Sequence, residues 1–589
     1  MDSSRPTRRQ LIILGILLFV GLGLRSCHLA NHRLAPLGNV EEVFDSSDMN
    51  AFTVWAKKIA DGDWLCRDSY HPKMDWMENI APLEKFEEWW GGKEIYHQTP
   101  LYPYMLAVSH AVFGGNLPLL ILQVLASTLS LFLIFLLGRR MMDTRAGLIA
   151  TGIAVVFAPA IVLDSIQLRA SLNVSFTLLS IWLLIRLREE GSLKLGILTG
   201  ACLASSYLLR PTGVILLAAG PIILLLDKTS RPHWKRWGLG LAAAVVVTIA
   251  PFAVRNLIVG APVHIFSTRG PETVIQANSQ SADPGFMNVM AADRYVALME
   301  EGHGSVLSAL GTAIGSWPDE SELGWWLWHQ WQKVLCVYGD YEFANNINFY
   351  YYRALTPGLK FMPTFGWFVG LGLVGVVLLG LYGRQRRTMW FPLIALGGLL
   401  IGCFLGFAMG RYRMPVAMLL TIPAGAAVSF LVARIQERRF QLAAAVIAAV
   451  LAISVGSFLV RPSISMLGPD GELMVKPDSL REMQMEKTRL RPQEHLETAK
   501  VLNAQGNTAA AIAYLDDYKE NFIDLMTRTS DGFRETNNPQ GQFILLHTAS
   551  RTMNDIAFWY FKCNAMKKAT ETKAISKRMK QQAEAMTGN

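Results

Sequence analysis

Charge is scarce in this chain: Asp, Glu, Lys and Arg make up 17% of its 589 residues, against about a quarter in an ordinary soluble domain. Cysteine is scarce too, with six residues, no CxxC pair and no His/Cys cluster at zinc-ligand spacing. Neither a Walker A glycine loop nor a dinucleotide-binding glycine fingerprint occurs. These absences exclude zinc-ribbon, P-loop and Rossmann chemistry. What the chain has in plenty is apolar residues, 51% of the total, with a mean hydropathy of +0.27. They gather into long runs separated by short basic stretches, the pattern of a polytopic membrane protein rather than of several soluble domains. Lys and Arg exceed Asp and Glu by 55 to 46, a formal charge of +9. That excess flanks the apolar runs, where it orients membrane helices, so nucleic acid is not an expected partner.

The first run, Leu11 to Leu24, follows Arg5, Arg8 and Arg9 and reads as a signal peptide or a first anchor. The retained anchor fits better, because no small-x-small cleavage signal follows at the right distance. Further runs lie at Leu117–Leu137, Ala146–Leu163, Leu172–Ile185, Leu195–Leu209, Gly213–Leu226 and Gly238–Val254, then at Pro363–Tyr382, Met389–Met409, Met414–Ala433 and Phe440–Val460. This predicts about 11 transmembrane helices. Threaded from a cytoplasmic N-terminus, the short inner segments hold nineteen basic residues, while the short outer turns hold only the four residues Arg169, Arg210, Arg411 and Arg413. Such asymmetry is the positive-inside signature and predicts an inner-membrane protein with its long loops outside. Leu101 to Phe113 is too short and too rich in Pro, Tyr and His for a span and reads as an interfacial or re-entrant helix.

The predicted organisation is a membrane domain over residues 1–460 with outer loops at about 25–116 and 255–360, a linker at 461–490 and a small helical extracytoplasmic domain at 491–589. Long loops on one face usually carry function. Their tryptophans, Trp55, Trp64, Trp76, Trp89, Trp90, Trp317, Trp325, Trp326, Trp328 and Trp331, read first as an interfacial aromatic belt, with a minority free to stack on a sugar or cover a lipid. In the tail, the spacing of Leu496, Ala499, Leu502, Gly506, Ala510, Ala513 and Leu515 fits a helical hairpin of tetratricopeptide type, and Phe543 to Phe561 a further helix packed on it. Stacked hairpins form grooves, so this tail is a candidate site for a protein partner. Cys202 and Cys403 read as core residues; Cys66 with Cys336 is one pairing that would tie the outer loops together.

Ionisable residues at membrane depth are costly and mark function, so charged groups at outer helix ends are the candidates. Asp48 opens an amphipathic stretch just after the first membrane helix, although Asp45, Ser46 or Asp48 serves equally well as a helix cap. Asp164 ends an otherwise apolar helix and either caps the next helix or pairs with Arg169. Arg210, Arg255, Arg411 and Arg413 run against the general sign bias. Taken singly each reads as a snorkelling anchor; facing two isolated carboxylates together, they fit an anionic headgroup, because guanidinium pairs bidentately with phosphate.

The chain resembles the integral-membrane GT-C glycosyltransferases, specifically the protein O-mannosyltransferase and aminoarabinose-transferase group of family 39/83 type. The resemblance covers about residues 1–460. It rests on the Asp after the first helix, His97-Gln98-Thr99-Pro100-Leu101-Tyr102-Pro103-Tyr104, the Asp ending the third helix, the Arg210-Pro211-Thr212-Gly213 turn, Arg255-Asn256 and Arg411-Tyr412-Arg413. It implies an α-helical polytopic fold of GT-C type and transfer of a hexose or pentose from a polyprenyl-phosphate donor to a lipid, glycan or protein acceptor outside the membrane. It makes Asp48 the general base or acceptor-positioning carboxylate and Asp164 the second catalytic acid, with His97, Gln98, Tyr102, Arg210, Arg255, Arg411, Tyr412 and Arg413 binding substrate. The chemistry stands apart from the name: an acceptor hydroxyl must lose a proton while the departing phosphate gathers charge that cations stabilise. Gln98 and Thr99 replace the acidic and basic residues of the aminoarabinose branch, and Asp48-Met49 replaces an acidic pair. The sugar is therefore not carried over. Some relatives use a divalent cation, but no metal cage is legible. A transporter or flippase of a lipid-linked or anionic substrate is the alternative, and it would favour similar halves and mid-helix charges; a polysaccharide polymerase or ligase would differ only in its acceptor.

Overall fold

The computed structural model describes residues 6–43, 47–67, 75–280, 282–287, 292–318, 321–383, 386–463, 465–467, 473–475, 492–535 and 539–587. Arg5, Asp45, Ser46, Arg384 and most of the 461–490 linker lie outside these described residues. Helix forms at every apolar run. Among the described residues, six helices are long and apolar enough to cross a membrane: Arg8–Leu34, Leu117–Met141, Ala170–Glu190, the segment Arg231–Val259, Gly410–Gln436 and Phe440–Leu459. A seventh crossing arises only if Thr144–Val155 and Ala158–Asp164, bent by 61° against each other, count as one. The break has a local cause. Pro159 sits in the first turn of the second piece and cannot continue the first, and the freed Ala158 N–H donates instead to the Pro363 carbonyl at 3.1 Å. Leu193–Leu209, Gly213–Leu226, Gly366–Tyr382 and Trp390–Leu405 run 14 to 17 residues, about 21–26 Å at the α-helical rise.

Close packing in the bundle relies on small residues, as it must where apolar side chains gain nothing over lipid. Gly375 of Gly366–Tyr382 lies against the Pro423 backbone of Gly410–Gln436, and Gly425 of the latter lies against Ala146; a Cβ at either glycine would collide with backbone. The Leu101–Phe113 helix exists and packs beside Asp48–Ala60, with Phe52 and Tyr102 rings 5.2 Å apart.

The two long loops pack on one another as one layer. Arg255 reaches from the end of its membrane helix into the first loop, donating to the carbonyls of Leu65 (2.6 Å), Glu94 (2.6 Å) and Cys66 (2.5 Å). Trp90 Nε1 of the first loop donates to Glu272 of the second at 3.0 Å. This revises the aromatic-belt expectation: Trp55, Trp89, Trp90 and Trp317 are buried in the loop layer, while Trp64 and Trp331 stay exposed. The Cys66–Cys336 pairing does not form either. Cys66 accepts from Trp55 Nε1 at 3.3 Å, whereas Cys336 packs with Cys403 in a different cluster.

The tail folds into four helices, Pro492–Ala504, Thr508–Glu535, Pro539–Lys562 and Met566–Thr587, around a core containing Leu515, Phe522, Met553 and Tyr560. The hairpin turns at Gly506, whose φ of +80° suits glycine. Its second helix, at 28 residues, is far longer than half of a 34-residue tetratricopeptide repeat. The domain meets the bundle where Tyr351 OH and Thr498 Oγ1 lie 2.7 Å apart. Ser465–Leu467 and Leu473–Val475 pair antiparallel before it, Ser465 opposite Val475.

Gly375→Val should cost roughly 1–3 kcal/mol through overpacking, seen as a lower thermal midpoint in detergent, while Gly380→Val, with open space at its Cβ, should change it little.

Candidate active site

Asp48 sits at the start of the Asp48–Ala60 helix, and Ser47 caps that helix by accepting from the Asn50 N–H at 3.1 Å. The capping duty the sequence left open thus falls to Ser47, and the Asp48 carboxylate is released for other partners. Its Oδ2 accepts from Arg411 Nη1 at 2.7 Å and from Asn346 Nδ2 at 2.9 Å. Its Oδ1 accepts from Gln98 Nε2 at 3.2 Å and lies 3.5 Å from Arg269 Nη1. Gln98 is itself oriented, because its carbonyl accepts from Arg169 Nη2 at 2.7 Å and so turns its amide nitrogen toward Asp48.

Two guanidiniums, Arg411 and Arg269, contact this carboxylate, Arg169 reaches it through Gln98 and Arg210 lines the same cavity; each of the four comes from a helix end. Arg169 precedes Ala170–Glu190, Arg210 ends Leu193–Leu209, Arg269 precedes Gly270–Asn278 and Arg411 lies in the first turn of Gly410–Gln436. Arg210 lies over the Tyr412 ring, 4.3 Å from its centroid. Burial pushes the Asp48 carboxyl upward, but the charges of Arg411 and Arg269 and the Asn346 hydrogen bond outweigh it and hold Asp48 well below the usual carboxylate range.

A cavity of about 1020 Å³ opens against this cluster. Asp48, Gln98, Arg169, Arg210, Arg269 and Tyr412 line its polar end, and Val306, Leu399, Ile401 and Leu405 its apolar end. Val306 and Ile401 are 41% and 45% exposed, so the apolar end opens outward from the bundle. A smaller cavity of about 360 Å³ lies beyond Arg411 and Asn346, lined also by Asn345, Glu342 and Phe349. The two oxygens of Asp48 thus face different surroundings, Oδ1 toward Gln98 and Arg269, Oδ2 toward Asn346 and Arg411.

Of the residues singled out from sequence, Asp48, Gln98, Arg210, Arg411 and Tyr412 converge here, and the rest do not. Asp164 is buried elsewhere: its Oδ2 accepts from Arg25 Nε at 2.8 Å and Ser127 Oγ at 2.6 Å, and Arg169 is not its partner. Arg413 pairs with Glu342 at 2.5 Å and bonds the Gly339 carbonyl. Arg255 holds the first loop, as described above. Tyr102 OH donates to Gln123 Oε1 at 2.8 Å inside the core. His97 lies against Trp90, ring centroids 4.0 Å apart and tilted by 40°, and its carbonyl accepts from the Arg269 N–H at 3.2 Å, which supports a site arginine from behind. Arg169, Arg269 and Asn346 belong to the site without having been selected. Arg169 was visible as an outer-turn cation; Arg269 and Asn346 sit in a long loop with no periodic signal. Among the described residues no three His, Cys, Asp or Glu side chains converge on a metal position. The donor set at Asp48, one carboxylate ringed by guanidiniums, does not fit a divalent cation.

Fold and site together define a multi-pass helical membrane protein with an arginine-lined pocket against its loop layer. Residues 97–254 match the model of the dolichyl-phosphate-mannose-protein mannosyltransferase family. That match places a glycosyltransferase-family segment in the chain, and it contains Gln98, Arg169 and Arg210 of the site. No curated protein matches in sequence. Among solved structures, the chain is similar to an oligosaccharyltransferase of Archaeoglobus fulgidus in its apo form (13% identity, TM-score 0.41, 77% of this chain and 55% of that one). It is also similar to ArnT from Cupriavidus metallidurans bound to undecaprenyl phosphate (13% identity, TM-score 0.38, 86% and 73%). The chain spans about half the length of the oligosaccharyltransferase.

Two predictions separate the carboxylates. Asp164→Asn should destabilise the protein by roughly 3–5 kcal/mol, because it strands buried Arg25, read as loss of folded protein in detergent; Asp164→Asn with Arg25→Met should recover much of it. Asp48 has a folded value below its unfolded one, so its ion pairs stabilise the fold above the unfolded value and that contribution fades as pH falls through the folded value. Comparing denaturation midpoints at pH 7 and pH 3, Asp48→Asn should narrow the gap between them.

Proposed function

We propose that this chain transfers a glycosyl group from a polyprenyl-phosphate-linked donor to an acceptor hydroxyl at the extracytoplasmic face of an inner membrane. The single observation that carries this reading is Asp48, paired with Arg269 and Arg411, beside Arg169, Arg210 and Arg269 at the polar end of a cavity whose other end opens outward from the bundle. A donor of this kind has that shape: a charged head, a sugar beyond it and a long apolar chain. The family match over residues 97–254 supports the same reaction class. The donor sugar is a hexose or pentose, and the acceptor a lipid, glycan or protein. The nineteen-to-four partition of basic residues supports a cytoplasmic N-terminus and an external site.

In the proposed reaction the bond between the anomeric carbon and the phosphate oxygen breaks while the acceptor oxygen bonds to that carbon. The polyprenyl phosphate leaves with the bonding electrons, and Arg210, Arg269 and Arg411 stabilise its growing charge. Asp48 orients the acceptor hydroxyl and receives its proton. In the empty site Asp48 is a weak base, because Arg411 and Arg269 favour its ionised form. An incoming phosphate competes for those same guanidiniums and returns basicity to Asp48, so that donor binding prepares the base. The smaller cavity beside Asn346 and Arg411 is the side from which an acceptor reaches Oδ2. The C-terminal helices, docked at Tyr351, are the candidate surface for a protein acceptor or partner.

The test is transfer from a panel of polyprenyl-phosphate sugars in membranes holding equal amounts of each variant. Asp48→Asn should lose transfer by about 10²–10⁴-fold and Arg210→Ala by about 10²–10³-fold, each with normal insertion. Undiminished transfer by Asp48→Asn would remove the central assignment.

A further inference from the structure

Lys333 is a fully buried cation that the reaction above does not use. It lies on the Glu322–Tyr338 helix of the second outer loop, and its Nζ donates to Asn278 Oδ1 at 2.9 Å, the Phe404 carbonyl at 2.8 Å and the Gly406 carbonyl at 2.7 Å. An ammonium has three N–H donors, and all three are used. The acceptors mark two helix ends. Asn278 is the last residue of Gly270–Asn278, and Phe404 and Gly406 flank the end of Trp390–Leu405. The Phe404 and Gly406 carbonyls present the negative end of Trp390–Leu405 to the ammonium, and Asn278 contributes its side-chain oxygen. Asn278 completes the joint, donating through Nδ2 to the Leu405 carbonyl at 2.8 Å.

Both helices connect to the site, the first through the residue that enters it and the second through the chain that leaves it. The residue before Gly270–Asn278 is Arg269, the partner of Asp48 Oδ1, and four residues after Gly406 the next helix begins with Gly410 and Arg411, the partner of Oδ2. Leu405 and Gly406 themselves line the large cavity. We infer that Lys333 is a positioning residue whose ammonium ties together the two elements carrying Arg269 and Arg411, and that it makes anion binding in this cavity pH-dependent. The inference rests on the cavity being the site for the donor's phosphate.

The physical reason is the geometry of a neutral amine. Losing one proton leaves two donors and a lone pair facing three oxygens, so one carbonyl loses its partner and the lone pair repels it. The surroundings favour that loss at moderate pH. Burial pushes Lys333 down to about 7, and the groups facing it are His329 and Cys336 on its own helix and Cys403 on Trp390–Leu405, none of them a carboxylate. The Gly270–Asn278 helix offers it only the Asn278 amide. The sign for stability is opposite to that for binding: with its folded value below its unfolded one, the lysine's charge costs stability at low pH, and the fold gains as pH rises from 7 toward the unfolded value.

The experiment titrates a synthetic polyprenyl methyl phosphodiester, whose single charge does not change between pH 6 and pH 9, into the full purified chain in detergent and follows tryptophan fluorescence. Wild type should bind at pH 6 and lose at least tenfold in affinity by pH 9, without loss of thermal stability. Asn278→Asp puts a carboxylate beside the ammonium and should move the midpoint of that loss up by at least one pH unit; Lys333→Arg should flatten the profile. Wild type that binds equally at pH 6 and pH 9, or a midpoint unmoved in Asn278→Asp, overturns the role of Lys333 while leaving the cavity as a phosphate site. Wild type that does not bind at pH 6, or an Arg210→Ala variant that binds as wild type does, overturns the reading of the cavity and this inference with it.

Discussion

The Asp48 carboxylate, held between Arg411 and Arg269, is the contact on which the outer half of the molecule depends. It joins three stretches far apart in sequence: the helix after the first membrane segment, the second outer loop and the first turn of a late membrane helix. Asn346 adds a second contact from the same loop, and Gln98 brings in the segment before Leu101–Phe113. A buried carboxylate without these partners would be driven toward its neutral form. With them it stays charged, and the guanidiniums outnumber it, so the cluster carries a net positive charge. An assembly that is locally over-positive suits a site that must receive a phosphate and hold it as its charge grows.

Two other buried ion pairs show the contrast. Arg25 with Asp164 and Arg413 with Glu342 are enclosed, matched one to one and further bonded to backbone carbonyls or hydroxyls. Such pairs give little net stability over an apolar alternative but specify how helices meet. Arg25 ties the first helix to the broken Thr144–Asp164 pair, and Arg413 ties Gly410–Gln436 to the chain around Gly339 and Glu342. Charge balance distinguishes strut from site in this protein: one cation per carboxylate in the struts, but two in contact with Asp48 and two more, Arg169 and Arg210, beside it in the cavity.

Much of the architecture was legible in sequence because hydrophobic run length and the distribution of basic residues are one-dimensional properties. Every apolar run contains helix. What sequence missed has a local cause in each instance. Pro159 broke one run into two pieces whose backbone is satisfied by Pro363, a distant residue. The tryptophans looked like a belt because composition does not distinguish a ring facing lipid from one facing the second loop. Of the ten site candidates, Asp48, Gln98, Arg210, Arg411 and Tyr412 converged, since an outer helix end is a necessary but not sufficient condition for reaching the cavity.

The sequence by itself determined that this is a helical membrane protein and that a few cations stand against the general sign pattern of its short connections. Only the tertiary structure decided which of those cations remain available to a ligand. Asp164 and Asp48 look alike along the chain, each an acidic residue at an outer helix end. Arg25 neutralises the first, while four helix ends converge on the second. That difference is set by distances between segments hundreds of residues apart, and the balance of charge in a low-dielectric pocket depends on those distances.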